Sequence, residues 1–274
     1  GRAYAALPEK YRALADDITF MMRTEPLTDQ GYMKMPEGIH VVEIPNLARP
    51  RVYLREKRKA AKIVAEQIRK CDMAILREPC FYSAIAQKYL KKYAKPYIVE
   101  SVGCPWDSYR NHGILGKLLA PYEFLQTRRS IRSAPYVIYV TDRFLQRRYP
   151  TKGVAAGISD VELQSMDDSV LEKRLAHIRN HSGALKIGTA GAIDVSYKGQ
   201  QYVIEALAKL KRQGRSDFEY HLAGGGDQPA LLTLAEKLGV GDQVIFEGSL
   251  PHDRMFDWLD ELDVYIQPSL QAGL

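Results

Sequence analysis

Cysteine is scarce in this sequence. Only three cysteines occur among 274 residues, Cys71, Cys80 and Cys104, and none belongs to a Cys-x-x-Cys pair. That spacing excludes a structural zinc set and a disulfide framework, and it predicts small buried residues in a reducing compartment. An Asp-x-Asp sequence is also missing, and no cysteine lies at metal-ligand spacing from a histidine. The sequence therefore predicts no metal and no bound cofactor.

Long apolar runs are missing as well. No run approaches the roughly 18–20 residues that a membrane-spanning helix needs, and there is no low-complexity tract or short-period repeat. Hydrophobic residues make up 46% of the chain and charged residues 26%, which is typical of a globular protein. The length fits two domains of roughly 100–200 residues each.

Charge is distributed unevenly along the chain. Residues 1–150 hold 27 basic and 15 acidic residues (net +12), whereas the remainder holds 12 basic and 18 acidic residues (net −6). A basic half favours a polyanionic partner such as anionic lipid headgroups or nucleic acid; a solvated basic surface without a partner is the alternative. Because no known recognition motif accompanies the basic residues, no nucleic-acid partner is predicted. We predict a cytoplasmic protein, with an anionic membrane surface at the inner face of the membrane as a candidate peripheral partner.

Strands alternate with helices through both halves of the sequence. Apolar and β-branched runs predict strands, among them 18–22, 97–102, 136–141, 185–189, 218–223 and 264–267. Apolar residues at helical spacing predict helices, among them 51–70, 115–133, 160–178 and 201–213. This alternation predicts an α/β protein with parallel sheets, built as two Rossmann-like domains with a cleft between them. We expect domains over residues 1–150 and 185–274, joined by a polar, turn-rich interdomain segment over 151–184.

The segment Ile187–Gln200 carries the clearest chemistry. A strand runs into a glycine turn at Gly188 and Gly191, and Lys198 and Gly199 stand at the start of the next helix. Glycine lets the backbone approach a phosphate closely, and a helix N-terminus offers free N–H groups. Lys198 adds a positive charge that can reach a diphosphate, although a lysine at such a position is often only solvated.

Three further segments repeat this pattern of a strand that leads into small residues. They are His221–Val240, Val244–Met255 and Asp263–Leu274. An extended stretch after a strand can offer backbone N–H and C=O groups to the edge of a nucleobase. The candidate ligand-binding residues on this pattern are Gly224 and Gly225 in the first of these segments, then Ser249 and Leu250 in the second.

In this order and spacing, the four segments resemble the C-terminal half of the family 4 (group 1) retaining glycosyltransferases of the GT-B fold. The resemblance covers about residues 135–274, and Gly157–Leu163 resembles the interdomain segment of that family. It implies that Lys198 grips the diphosphate of a UDP- or GDP-sugar and that Gly248–Leu250 faces the nucleobase. It also implies that Ala272–Leu274 presents backbone amides to the donor sugar and phosphates.

The N-terminal half resembles bacterial surface-polysaccharide and lipopolysaccharide glycosyltransferases over Tyr97–Phe124. The resemblance implies that the first domain binds the acceptor, a saccharide or a lipid-linked saccharide. Trp106, Asp107 and Arg110 follow a predicted strand end and are candidate contacts to acceptor or donor sugar, with Asp107 as a catalytic candidate. The alternative is that Trp106 packs against its own domain and Asp107 caps a turn.

Two departures from the family pattern affect the expected activity. The family often has an arginine six residues before the lysine, where this chain has Ala192, and it has a glutamate where this chain has Ala272. The family pattern also leads us to expect a fragment, with the first N-terminal strand missing and the second domain truncated.

The resemblance implies metal-independent transfer of a sugar to an acceptor hydroxyl, with retained anomeric configuration. Cations and helix N-termini stabilise the leaving diphosphate in such a reaction. The alternatives are a catalytically defective nucleotide-sugar-binding homologue and another GT-B enzyme, such as a sugar-nucleotide epimerase.

Overall fold

A computed structural model describes residues 11–23, 38–47, 50–111, 113–159, 167–251 and 254–270. The chain divides into two compact units. One contains residues 1–105 and 122–159, and the other contains residues 106–121 and 160–273. All strand pairs in the described ranges are parallel, as the alternation of strands and helices predicts. The predicted α/β class is therefore confirmed.

The first unit contains two sheets. Strands β1 and β2 form a pair, and a second sheet has the order β3-β4-β5-β6. The strands are β1 (Ile18–Met22), β2 (Ile39–Glu43), β3 (Ala74–Glu78), β4 (Tyr97–Ser101), β5 (Tyr136–Tyr139) and β6 (Val154–Gly157). The helices that begin in this part of the chain are α1 (Pro50–Lys70), α2 (Ser83–Lys92), α3 (Pro105–Arg110), α4 (Gly113–Arg132) and α5 (Phe144–Arg148). Most of α3 and the start of α4 belong to the second unit.

Buried carboxylates fix the strand ends of the first unit. Glu100, at the end of β4, accepts hydrogen bonds from Tyr11 at 2.6 Å and from Arg77 at 2.8 Å. Glu78, at the end of β3, is 1% exposed and accepts a hydrogen bond from Ser130 Oγ. Burial raises the pKa of Glu78 above its usual range. Both carboxylates have partners inside the unit, which is what burial of a polar group requires.

The second unit is one parallel sheet with the strand order β10-β7-β8-β9. Its strands are β7 (Leu185–Ala190), β8 (Phe218–Ala223), β9 (Val244–Gly248) and β10 (Val264–Tyr265). Its further helices are α6 (Ser169–Asn180), α7 (Gln200–Arg212), α8 (Pro229–Lys237) and α9 (Met255–Glu261). The core lies between the sheet and the helices α7 and α8, where Ile204, Leu207, Tyr220 and Leu222 are all at most 2% exposed.

Several element bounds differ from the prediction. The segment predicted to be turn-rich contains strand β6, which completes the sheet of the first unit by pairing with β5. Its sequence, VAAG, has only one β-branched residue and gives little strand signal. The helix predicted within residues 160–178 is found at Ser169–Asn180. The strands predicted over 136–141 and 264–267 end at Tyr139 and Tyr265.

We predict that Leu207→Ala destabilises the second unit by about 2–5 kcal/mol, because it removes a side chain that is 2% exposed and leaves a cavity. Leu232→Ala is the matched control, since Leu232 on α8 is 41% exposed, and we expect it to change stability by about 0.5 kcal/mol or less. Urea unfolding followed by circular dichroism measures both. Equal losses for the two variants would contradict the assigned core.

Candidate functional site

The site forms at the carboxyl edge of the sheet of the second unit, where three strands end side by side. Ala190 of β7 pairs with Ala223 of β8, and Ala223 in turn pairs with Gly248 of β9. Because the strands are parallel, the turns that follow them open at the same edge. This register brings together Gly191, Gly224, Gly225 and Ser249, four of the residues predicted to bind the donor.

The glycines at this edge are in direct backbone contact. The N–H of Gly191 donates to Ala223 O at 2.9 Å, and the N–H of Gly224 donates to Gly248 O at 2.8 Å. A Cβ placed on Gly224 would lie 1.9 Å from the carbonyl oxygen of Gly191. No side chain fits there, so glycine at position 224 is a steric requirement of the turn.

Lys198 lies in a short 3-10 turn, Ser196–Lys198, that leads directly into α7. The turn is followed by Gly199, whose φ of +83° lies in the left-handed region that favours glycine. The half-buried Lys198 side chain runs past Gly191, since its Cδ would lie 3.5 Å from a Cβ at that position. Its ammonium group lies 5.7 Å from the centre of the Tyr197 ring. The lysine is therefore placed between the glycine turn after β7 and the N-terminus of α7.

The start of α7 suits an anionic group. Its first turn contains no acidic residue, so the free N–H groups and the positive end of the helix dipole are not neutralised there. Gln200, which is 1% exposed, donates a hydrogen bond from Nε2 to Ala192 O at 3.1 Å. This bond joins the helix start to the glycine turn. The arrangement can bind a phosphate or diphosphate through backbone amides and one lysine.

The chain after β10 holds the lysine turn from the other side. The N–H of Leu270 donates to Tyr197 O at 2.8 Å, and Thr189 Oγ1 donates to Ile266 O at 2.8 Å. Thr189 also accepts a hydrogen bond from the buried Tyr220 hydroxyl, where burial raises the tyrosine pKa to about 12. The predicted donor contacts Ala272, Gly273 and Leu274 lie outside the described residues.

Ser249 and Leu250 follow β9 but have different surroundings. Ser249 is exposed, and its Oγ would lie 3.1 Å from a Cβ on Gly225. Leu250 is partly buried and packs against the apolar cluster of Ala223, Trp258 and Leu262. The Leu250 side chain therefore contributes to packing, which leaves its backbone as the part that can face a ligand.

The candidates from the N-terminal half lie on α3. Trp106, Asp107 and Arg110 line a shallow cavity of about 240 Å³ together with Asn111 and Leu270. The Arg110 guanidinium lies 5.3 Å from the centre of the Trp106 ring, and Asn111 Nδ2 donates to the Asp107 carbonyl oxygen at 2.9 Å. This cavity lies beside the lysine turn, because the Leu270 N–H is bonded to Tyr197 O.

Two contributors to the site were missed in the sequence. Gln200 gave no signal because an amide at a helix start is usually exposed, whereas here it is buried against Ala192. Leu270 gave none because its role is a backbone bond to a turn more than seventy residues away in the chain. Neither feature has a local sequence pattern.

Glycine turns, a lysine and a helix N-terminus at the carboxyl edge of a parallel sheet are features of the α/β proteins that bind nucleotides. Residues 184–274 match the family described as "Glycosyl transferases group 1". Over 271 residues the chain is 34% identical to protein CapJ of Staphylococcus aureus, covering 96% of this chain and 66% of CapJ. It is 40% identical over 77 residues to the amylovoran biosynthesis glycosyltransferase AmsK of Erwinia amylovora, covering 28% of this chain and 19% of AmsK.

Among solved structures, the chain is similar to sucrose-phosphate synthase from Thermosynechococcus elongatus. The TM-score is 0.66 at 15% identity, covering 99% of this chain and 70% of that one, so this likeness shows the fold alone. The predicted GT-B fold with Rossmann-like domains is confirmed. The chain is therefore similar to the group 1 glycosyltransferases, through the family match over residues 184–274 and the likeness to CapJ over nearly its whole length.

We predict that Gly224→Ala disrupts the site, because the added methyl group would meet the Gly191 carbonyl at 1.9 Å. The turn must move, at a cost of about 1–3 kcal/mol or more in unfolding free energy, and nucleotide binding should be lost with it. Gly241→Ala is the matched control, since its added Cβ would have no contact closer than 3.6 Å. Calorimetry with UDP and GDP, together with urea unfolding, measures both effects. Unchanged binding by Gly224→Ala would remove this turn from the site.

Proposed function

We propose that this chain is the greater part of a glycosyltransferase that moves a sugar from a UDP- or GDP-sugar to a hydroxyl of a saccharide or lipid-linked acceptor. The chain spans 66% of CapJ and 19% of AmsK, so the activity of the whole protein is part of this proposal. AmsK is, by its name, a glycosyltransferase of amylovoran biosynthesis. We extend the same class of process, bacterial surface-polysaccharide assembly, to this chain.

The observation that carries the proposal is the position of Lys198. Its side chain passes Gly191 at the carboxyl edge of the sheet, directly before the N-terminus of α7. A diphosphate at this edge would meet one full positive charge, the helix N–H groups and a backbone that glycine leaves open. These are the groups that stabilise the negative charge on a leaving nucleoside diphosphate.

The proposed reaction needs no protein nucleophile and no metal at this edge. Lys198 and the α7 N-terminus neutralise charge as the bond from the sugar to the diphosphate breaks. We assign the acceptor's proton to a diphosphate oxygen and propose retention of the anomeric configuration. The cavity of Trp106, Asp107 and Arg110 supplies an aromatic ring, a carboxylate and a guanidinium for sugar hydroxyls.

We predict that Lys198→Ala lowers transfer by about 10²–10³-fold, as the loss of one charge-stabilising donor does in other sites. Binding of the nucleoside diphosphate should weaken by at least about tenfold, because a hydrogen bond to a charged group contributes about 1.5–3 kcal/mol. Lys209→Ala, which removes an exposed lysine from the same helix, is the control and should match the parent protein.

The assay combines calorimetry with UDP and GDP and measurement of nucleoside diphosphate released from UDP- and GDP-hexoses. If the Lys198→Ala variant released nucleoside diphosphate at the rate of the parent protein, the proposed role of the lysine would be refuted. Binding without release in the parent protein would favour the second candidate, a nucleotide-sugar-binding homologue without turnover. Ala192 and Ala272 motivate that candidate, since both replace charged residues of the family pattern.

We further propose that the first two turns of α4 meet an anionic membrane. Ile114, Leu115 and Leu118 are 81%, 62% and 73% exposed, and the exposed Lys117 lies in the same turns. A helix that presents apolar side chains beside basic ones suits the interface of an anionic bilayer. Within the described residues, no helix is long and apolar enough to cross a membrane.

We predict that Leu118→Glu reduces binding to vesicles of phosphatidylglycerol and phosphatidylcholine by at least about tenfold, since full burial of one leucine contributes about 1.5–3 kcal/mol. Leu232→Glu, on an exposed position of α8, is the control. Vesicle sedimentation at low and high salt measures the effect. Equal binding to purely zwitterionic vesicles would contradict the electrostatic part of this proposal.

A further inference from the structure

A second cluster of functional side chains lies at the opposite end of the same sheet. His177, in the last turn of α6, and His181, just after it, converge on the Asp263 carboxylate that precedes β10. His177 Nε2 lies 2.9 Å from Asp263 Oδ1, and His181 Nδ1 lies 3.4 Å from the same oxygen. The group has no part in the proposed transfer reaction.

We propose that His177, His181 and Asp263 form a structural site for a divalent transition-metal ion, with zinc as the best-fitting metal. The three ligand atoms lie within 4.8 Å of one another. Zinc bonds of 2.0–2.2 Å place neighbouring ligands of a tetrahedron roughly 3.3 Å apart, close to the two nitrogen–oxygen distances observed. Two imidazoles and one carboxylate are a ligand set that zinc accepts.

The surroundings hold these ligands in place as an outer shell does in metal sites. The second Asp263 oxygen, Oδ2, accepts the Lys186 N–H at 2.8 Å, so the carboxylate is oriented from β7. Arg174 donates to the carbonyl oxygens of Leu262 and Asp263, which fixes the backbone that carries the ligand. The Asp263 side chain is 7% exposed, whereas His177 is 43% exposed. A water can therefore complete the coordination from the His177 side.

The proposed metal ion would stabilise the fold and would take no part in catalysis. Asp263 pairs its backbone with Lys186 near the start of β7, about 16 Å along the strand from the glycine turn at the opposite edge. The ion would connect α6 to the first residues of β7 and β10. This role leaves the metal-independent transfer chemistry proposed above unchanged, so either proposal can fail without the other.

The test is a titration of the untagged, chelator-treated protein with Co²⁺, followed by visible absorption, with Zn²⁺ as the competitor. We expect one equivalent of Co²⁺ to give the absorption of a four-coordinate ion and one equivalent of Zn²⁺ to remove it. His177→Gln and His181→Gln should each weaken binding by at least about tenfold, because loss of an outer-shell partner alone costs 10–100-fold in affinity.

His221→Gln is the matched control. His221 also faces two carboxylates, Glu219 and Glu247, but its two nitrogens point to different partners and cannot converge on one ion. It should bind Co²⁺ like the parent protein. Absence of a stoichiometric Co²⁺ spectrum in the parent overturns the proposal without reference to any variant. Undiminished binding by His177→Gln in a protein with parent-like circular dichroism overturns it as well.

Discussion

The backbone of Gly224 lies so close to the carbonyl of Gly191 that no side chain fits between them. The carboxyl edge of the sheet in the second unit depends on this contact. It allows the turns after β7 and β8 to stack, and the N–H of Gly224 then reaches Gly248 on the next strand. At this edge the backbone is not covered by side chains, and a larger residue at position 224 would force the stacked turns apart.

The lysine turn is built on the same principle. Gly199 has a left-handed conformation, and a Cβ on it would lie 2.0 Å from the Pro268 carbonyl. Gln200 bonds back to Ala192, and Leu270 bonds to Tyr197. Lys198 is therefore held by contacts from β7, α7 and the chain after β10. A lysine on a flexible loop would lose more side-chain and backbone entropy when it binds an anion, so this scaffold favours binding.

The sequence was most reliable where one physical signal dominated. The helix over 51–70 and the strand over 218–223 are found at Pro50–Lys70 and Phe218–Ala223, because apolar residues recur at helical spacing in the first and alternate with polar residues in the second. The prediction failed for β6, whose small residues become a strand only because β5 offers a partner. Leu250 shows a related limit, since its place in an apolar cluster depends on Trp258 and Leu262 from a different element.

The sequence alone determined the α/β class, the strand-to-glycine turns and the placement of Lys198 at a helix start, because these follow from local conformational preference and spacing. Only the tertiary structure decided which turns meet, that Gln200 and Leu270 hold the lysine, and that His177, His181 and Asp263 converge far from it. The physical reason is register. Parallel pairing brings together residues that are distant in the chain, and no local pattern encodes which backbone atoms then meet.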